Sequence, residues 1–207
     1  MKARLFPGWA FPETTLQPIA ESLHCDIRTD TGGDLWIAWS LGGLHALTQS
    51  RATTPRALIL ISSTARFCAD SDHWPGLPTA NLRALQRQLA RAPEDALRGF
   101  HKLCTATASA TTLETRLRDS LTLPLADGLR DLAELDLRDR LETIRQPTLL
   151  LHGSKDRVIP IAVARALAQR LPHAQLREHP EAEHDLPIAH AGWVIEQIRD
   201  FLSSESG

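Results

Sequence analysis

Ser40, Asp156 and His184 are the residues of this chain whose types and spacing suit nucleophilic chemistry. Ser40 ends the apolar run Leu35 to Trp39 in the stretch LWIAWSLGGLHAL, and Gly42 and Gly43 follow it. A buried strand that ends on a serine and turns into a helix around glycines fits a nucleophile elbow, which exposes the hydroxyl above a sheet. The pattern departs from G-x-S-x-G, because Ala38 holds the place of the first glycine. Serine is also a common helix N-cap, so its partners must decide. A hydroxyl needs a base to take its proton and a third group to orient that base. Asp156, in SKDRVIP, follows the apolar run PTLLLHG, and His184, in PEAEHDLP, follows AQLREH. Both fall in loops at the carboxyl ends of expected strands, where an open α/β sheet gathers its functional loops. Other candidates fit less well. His179 lies on the strand itself, His190 begins the last helix, and Asp185 is poorly placed to orient the ring beside it. A metal reading of His179, Glu183 and His184 lacks the helical H-E-x-x-H spacing.

Acyl transfer also needs donors for the developing oxyanion. The backbone N–H after the nucleophile, that of Leu41, is one. The loop in ARLFPGWAF supplies the other, with Gly8 for close approach and Trp9 as donor. The Trp9 side chain would also wall the pocket.

These groups need a framework, and the chain has the length for one. Its 207 residues favour a single domain, with an inserted subdomain possible. The runs ARLF, CDIR, LWIAW, ALILIS, PTLLLHG and AQLREH alternate with amphipathic stretches such as 160–171 and 190–202. Such alternation predicts a mostly parallel sheet of five or six strands with crossover helices. The α/β core is expected from 1–65 and 141–207. Residues 66–140 carry almost no strand signal and read as an inserted helical cap, its helices broken near Pro93, Thr111–Thr112 and Pro124. A net charge of −2 gives no reason to expect nucleic-acid binding. The chain has no apolar run long enough to cross a membrane. The start MKARLFPGWAF has no signal-peptide core, so the cytoplasm is the expected compartment. Cys25, Cys68 and Cys104 are scattered and read as reduced thiols.

Taken together, GWAF, AWSLGGLHAL, LILISSTARFCA, DHWPGL, LLLHGSKDRVIP and AEHDLPIAH resemble the α/β-hydrolases. The likeness is closest to the pimeloyl-acyl-carrier-protein methyl ester esterases of biotin synthesis. It implies a reduced α/β-hydrolase fold and a triad of Ser40, Asp156 and His184, in the chain order of that family. It also implies an oxyanion site of Trp9 and Leu41, with no metal or organic cofactor. The segment GFHKLC resembles the family's acyl-tunnel lining, which adds Phe100, His101, Lys102, Leu103 and Cys104 to Trp9, Ser40, Leu41 and His184 as substrate-binding residues. The implied substrate is a pimeloyl methyl ester on acyl carrier protein. Hydrolysis of a small free ester or lactone, or ligand binding without catalysis, are the alternatives. One departure concerns the sheet edge. Only six residues separate CDIR from the nucleophile strand, where the family has a helix. Six extended residues span roughly 20 Å, just enough to recross a short strand. CDIR is therefore either a parallel edge strand or no parallel strand at all.

The expected cap is basic. Residues 81–118 carry a net +4 in a chain of −2. Arg83, Arg87 and Arg91 form one helical ridge opposite Leu82, Leu85 and Leu89, and Arg98 and Lys102 repeat the spacing. Such a ridge is either a solvated face or the receiver of an acidic carrier protein, with Arg98 included in the second reading.

Overall fold

The computed structural model describes residues 1–30, 32–50, 54–69, 73–105 and 109–205. In chain order the elements are β1 (Lys2–Phe6), α1 (Gln17–Ser22), β2 (Asp26–Arg28), β3 (Leu35–Trp39), α2 (Leu41–Gln49) and β4 (Ala57–Ile61). Four helices follow: α3 (Thr79–Arg91), α4 (Pro93–Cys104), α5 (Ala110–Ser120) and α6 (Leu125–Glu134). The chain then returns through β5 (Thr148–Gly153), α7 (Ile161–Arg170), β6 (Ala174–His179), α8 (Leu186–Ala189) and α9 (Ala191–Ser204).

The six strands form one sheet in the order β2-β1-β3-β4-β5-β6, and every neighbouring pair is parallel. Every residue of β3, β4 and β5 is buried. Strands covered on both faces read as continuous apolar runs, which is why LWIAW, ALILI and TLLL stand out in the sequence. Helix α2 packs on β1 and β3, α7 on β5 and β6, and α1 on β2 and α9. Right-handed crossovers put helices of leftward and rightward connections on opposite faces. This places α1 and α9 on one side, and α2 and α7 on the other. No helix among the described residues is long and apolar enough to cross a membrane.

The short edge is a parallel strand. Lys2 pairs with Asp26 and Arg4 with Arg28, while Ala3 pairs with Leu35 across the other side of β1. Strand β2 therefore ends level with Arg4, and β3 begins level with Ala3. The connection needs to recross β1 and drop back a single residue step, so it needs no helix. Arg4 covers part of the face beside it. Its guanidinium lies 4.7 Å from the Phe6 ring centroid and 5.4 Å from that of Trp36, whose rings are 5.2 Å apart.

The four helices between β4 and β5 pack mainly on one another: α3 on α4 and α6, and α4 on α5. Helix α6 also touches α2. Pro93 opens α4 with Glu94 and Asp95 in its first turn, and His101 and Lys102 occupy its last turn, matching the helix dipole. The expected break at Thr111–Thr112 falls earlier. Ser109 caps α5 by accepting the Thr112 N–H at 3.1 Å, so both threonines lie inside its first turn. The two ends of the helical stretch meet where Arg66 bridges Asp136 and the Leu137 N–H donates to Ala65 O. Arg138 and Arg66 hold the Asp136 carboxyl far below the usual carboxylate range.

Candidate active site

Strand β3 delivers Ser40 into a sharp turn. Ser40 has φ 56 and ψ −120, a conformation disfavoured for any residue with a Cβ. Its surroundings over-determine it. The Ser40 N–H donates to Ile61 O at 2.9 Å, and Ser40 O accepts from Ser63 Oγ at 2.9 Å. Helix α2 can start so close because Gly42 lacks a side chain: a Cβ there would lie 2.0 Å from Phe6 O. Ala38 causes no strain of this kind. It is buried in the centre of the sheet, in register with Phe6 and Leu60.

Asp156 lies in the loop after β5. Its Oδ1 accepts the N–H groups of Val158 and Ile159, each at 2.8 Å, which fixes the carboxylate plane. Burial pushes its carboxyl up, but the His184 and His152 rings and the backbone bonds outweigh burial, and the net shift is down. His184 lies in the loop after β6, which crosses the end of β5 closely. A Cβ on Gly153 would stand 2.3 Å from Ala182 O. His184 Nδ1 is 2.8 Å from Asp156 Oδ2, and His184 Nε2 is 3.0 Å from Ser40 Oγ. A carboxylate only accepts, so Nδ1 carries the proton, and Nε2 is left to accept from the serine hydroxyl. That tautomer suits a general base. Trp39 Nε1 donates to His184 O at 3.0 Å and holds the same loop from the end of β3.

The turn after β1 brings Trp9 to the site. The Phe11 N–H closes it on Gly8 O at 3.2 Å, and Ala10, its third residue, sits at φ 62. Leu41 is the first residue of α2, where a backbone N–H has no intrahelical acceptor. The Trp9 ring packs edge-on against Phe100 at 4.6 Å, and its Nε1 donates to Leu125 O at 2.9 Å. Trp9 thus joins the sheet side of the site to α4 and to the start of α6.

In the segment 100–104, Phe100, His101 and Cys104 are buried, whereas Lys102 and Leu103 are exposed. Burial raises the Cys104 thiol strongly, with Asp156 and Asp185 adding to the shift. His101 is pushed down to about 4 by burial and by the Arg116 charge. Ser40 itself is only 4% exposed. Two apolar clefts flank the Trp9–Phe100 contact. One, of about 290 Å³, is lined by Phe67, Leu82, Leu85, Phe100, Leu103 and Val158. The other, of about 240 Å³, is lined by Trp9, Leu41, His45, Leu125 and Gly128. Arg83, Arg87 and Arg91 are exposed along α3. Arg98 is engaged, pairing with Glu114 of α5 and Glu94 of its own helix.

Two contacts beside Ser40, His184 and Asp156, those of His152 and of Arg116 with Asp185, had no weight in the sequence. His152, on β5, lies with Nε2 3.4 Å from Asp156 Oδ2 while donating to Ile159 O at 2.8 Å. Burial keeps its imidazole toward the neutral form. Its i, i+4 relation to Asp156 was visible, but a histidine inside an apolar strand reads as core. Asp185 does not orient His184; it pairs with Arg116. The His179 and His190 rings pack with centroids 4.1 Å apart at a tilt of 46°, beside Trp193.

A parallel sheet with a serine elbow after a central strand, and Asp and His in later strand-end loops, defines a class. Residues 6–197 match the model of the alpha/beta hydrolase family, and the chain belongs to that family. It is 35% identical, over 96% of its length and 82% of the relative's, to a pimeloyl-acyl-carrier-protein methyl ester esterase from Xanthomonas campestris pv. campestris. A protein of the same name from Aliivibrio salmonicida is 32% identical over 97% of this chain and 92% of its own. Among solved structures, an esterase from Exiguobacterium antarcticum superposes with a TM-score of 0.87 at 17% identity, covering 98% of this chain and 92% of that one. That last likeness bears on the fold.

Proposed function

We propose that this chain hydrolyses the methyl ester of pimeloyl-acyl carrier protein in biotin synthesis, with Ser40, His184 and Asp156 as its triad. At the level of class it is a serine ester hydrolase. The observation that carries the finer reading is the hydrogen-bonded chain from Ser40 through His184 to Asp156, in relatives' company that bears this name. His184 takes the proton of Ser40 as the hydroxyl attacks the ester carbonyl. Asp156 holds the ring and stabilises its charged form. The N–H groups of Trp9 and Leu41 receive the oxyanion. Methanol leaves with the proton from His184, and water releases the acyl group through the same base.

The helices from α3 to α6 act in this reading as a cap over the site, spanning about residues 66–140. The acyl chain runs against Trp9, Phe100 and the rest of the 100–104 segment. The exposed arginines of α3 receive the acidic carrier protein, while Arg98 joins them only by giving up its acidic partners. Complementation tests the proposal. The wild-type chain should restore growth without biotin to a strain lacking its own esterase, and Ser40→Ala should not. Growth with both, or with neither when both are expressed, would count against it. Turnover of short synthetic esters with none of the carrier-bound ester would favour a small free substrate instead.

A further inference from the structure

A second buried polar cluster lies where α4 and α5 meet the loops of the site. Arg116 and Ser120 stand one turn apart on α5. Arg116 Nη2 donates to Asp185 Oδ2 at 3.2 Å, with the two side chains 12% and 4% exposed. Ser120 Oγ lies 2.7 Å from Ala10 O, 2.6 Å from Arg116 O and 2.9 Å from His101 Nε2. Its single proton is shared between the Ala10 and Arg116 carbonyls, so His101 Nε2–H donates to Ser120. The Arg116 guanidinium also lies 5.7 Å from the Phe11 ring centroid, and Phe11 packs on Trp39 at 4.4 Å and on His101 at 4.9 Å.

Both groups that this turn of helix grips are chain neighbours of the site. Ala10 follows Trp9, and Asp185 follows His184. Ala10 sits in the left-handed region, which alanine keeps only when its surroundings hold it there. Ser120 Oγ divides its proton between Ala10 O and Arg116 O, and so ties the Ala10 carbonyl, and with it the turn that aims the Trp9 N–H, to α5. Asp185 is held twice, by Arg116 at its carboxylate and by Cys104 O, which accepts its backbone N–H at 3.3 Å.

We propose that Arg116 and Ser120 are positioning residues for ester hydrolysis, one turn of α5 holding the Trp9 donor and the His184 base in register with Ser40. The inference rests on the roles assigned to those three residues under the proposed function. A buried ion pair adds little net stability over an apolar replacement, but it fixes direction. Misplacement of reacting groups by about 1 Å costs on the order of 10²-fold in rate.

The test uses the full chain and a 4-nitrophenyl ester of a short fatty acid, with competent sites counted by a fluorophosphonate. Arg116→Met and Ser120→Ala should lower kcat per counted serine about ten- to a hundredfold, with KM nearly unchanged. Arg116→Lys, which keeps a cation for Asp185, and Ser120→Thr, which keeps the hydroxyl, should recover much of the loss. Asp185→Asn breaks the charge pairing without opening space, and it should lower kcat even if the larger truncations do not fold. A merely structural role would reduce the number of competent serines and leave kcat per serine at the wild-type value, which overturns the proposal. Turnover that survives in Ser40→Ala would instead overturn the reading of the site on which it rests.

Discussion

At Ser40 the chemistry proposed for it and the stability of the backbone make opposing demands. The side chain must project above the sheet, and the backbone reaches that position only at φ 56, ψ −120. A residue held in such a region costs about 1–3 kcal/mol, and glycine alone escapes the penalty. Ser40→Ala should abolish ester hydrolysis, a loss on the order of 10⁶ in kcat, while leaving the fold intact. Ser40→Gly should be equally inactive yet more stable than Ser40→Ala by about 1–2 kcal/mol, since it releases the strain that alanine retains. Urea denaturation of the two variants checks this. Equal stability, or a less stable glycine variant, would mean the elbow is not strained as described. The three residues that make the hydrogen-bonded chain were legible because each follows a strand signal, and strand ends are where such loops gather. The pairing of Arg116 with Asp185 was not, because 69 positions separate the partners and nothing local links them.

Among the elements, legibility tracked burial. The central strands are covered on both faces and must be apolar, so their limits could be read almost to the residue. Strand β2 is three residues long at an edge, with no fully buried position, and carries little pattern for that reason. The start of α5 was misplaced because threonines weaken a helix interior but are tolerated within its capped first turn. What the sequence hid is how α4 and α5 fit together. His101 is buried between them, and burial followed by the Arg116 charge brings its imidazole down to about 4. The unfolded chain binds that proton at about pH 6.5. Between the two values the unfolded state holds more protons, so stability falls as pH drops from about 6.5 to about 4, by about 3 kcal/mol for this group. Asp185 works the other way, because burial raises its carboxyl and the folded chain binds that proton first. His101→Gln should therefore lose less stability than wild type over that pH range, as read by urea midpoints. A slope identical to wild type would remove His101 from the account.

On the scale of the whole molecule, charge is unequally distributed. The chain is acidic overall, yet residues 81–118 hold a net +4. The structure divides that excess. Arg116 is consumed by Asp185 and Arg98 by Glu114, so among the described residues the exposed remainder of the field is the ridge of Arg83, Arg87 and Arg91 on α3, with Lys102 on α4 and Arg118 on α5. Like charges at i, i+4 oppose the helix by about 0.2–0.5 kcal/mol per pair, so the charge of the ridge does not stabilise α3. Its inner side, Leu82 and Leu85, lines the apolar cleft that also contains Phe100 and Val158. A carrier docked on the ridge would have its acyl arm beside that cleft, whose lining residue Val158 donates its N–H to Asp156 Oδ1 at 2.8 Å. Changing Arg83, Arg87 and Arg91 together to glutamate keeps the like-charge spacing along α3 and reverses only its sign. The triple variant should lose about ten- to a hundredfold in kcat/KM on the carrier-bound methyl ester through lost electrostatic steering. Its action on a small free ester should stay close to wild type. Raising salt should reproduce part of the loss in the wild-type chain, because exposed charges are screened beyond about 8 Å at physiological ionic strength. Equal losses on both substrates would assign the ridge to holding α3 in place, and unchanged activity on both would make it a solvated face.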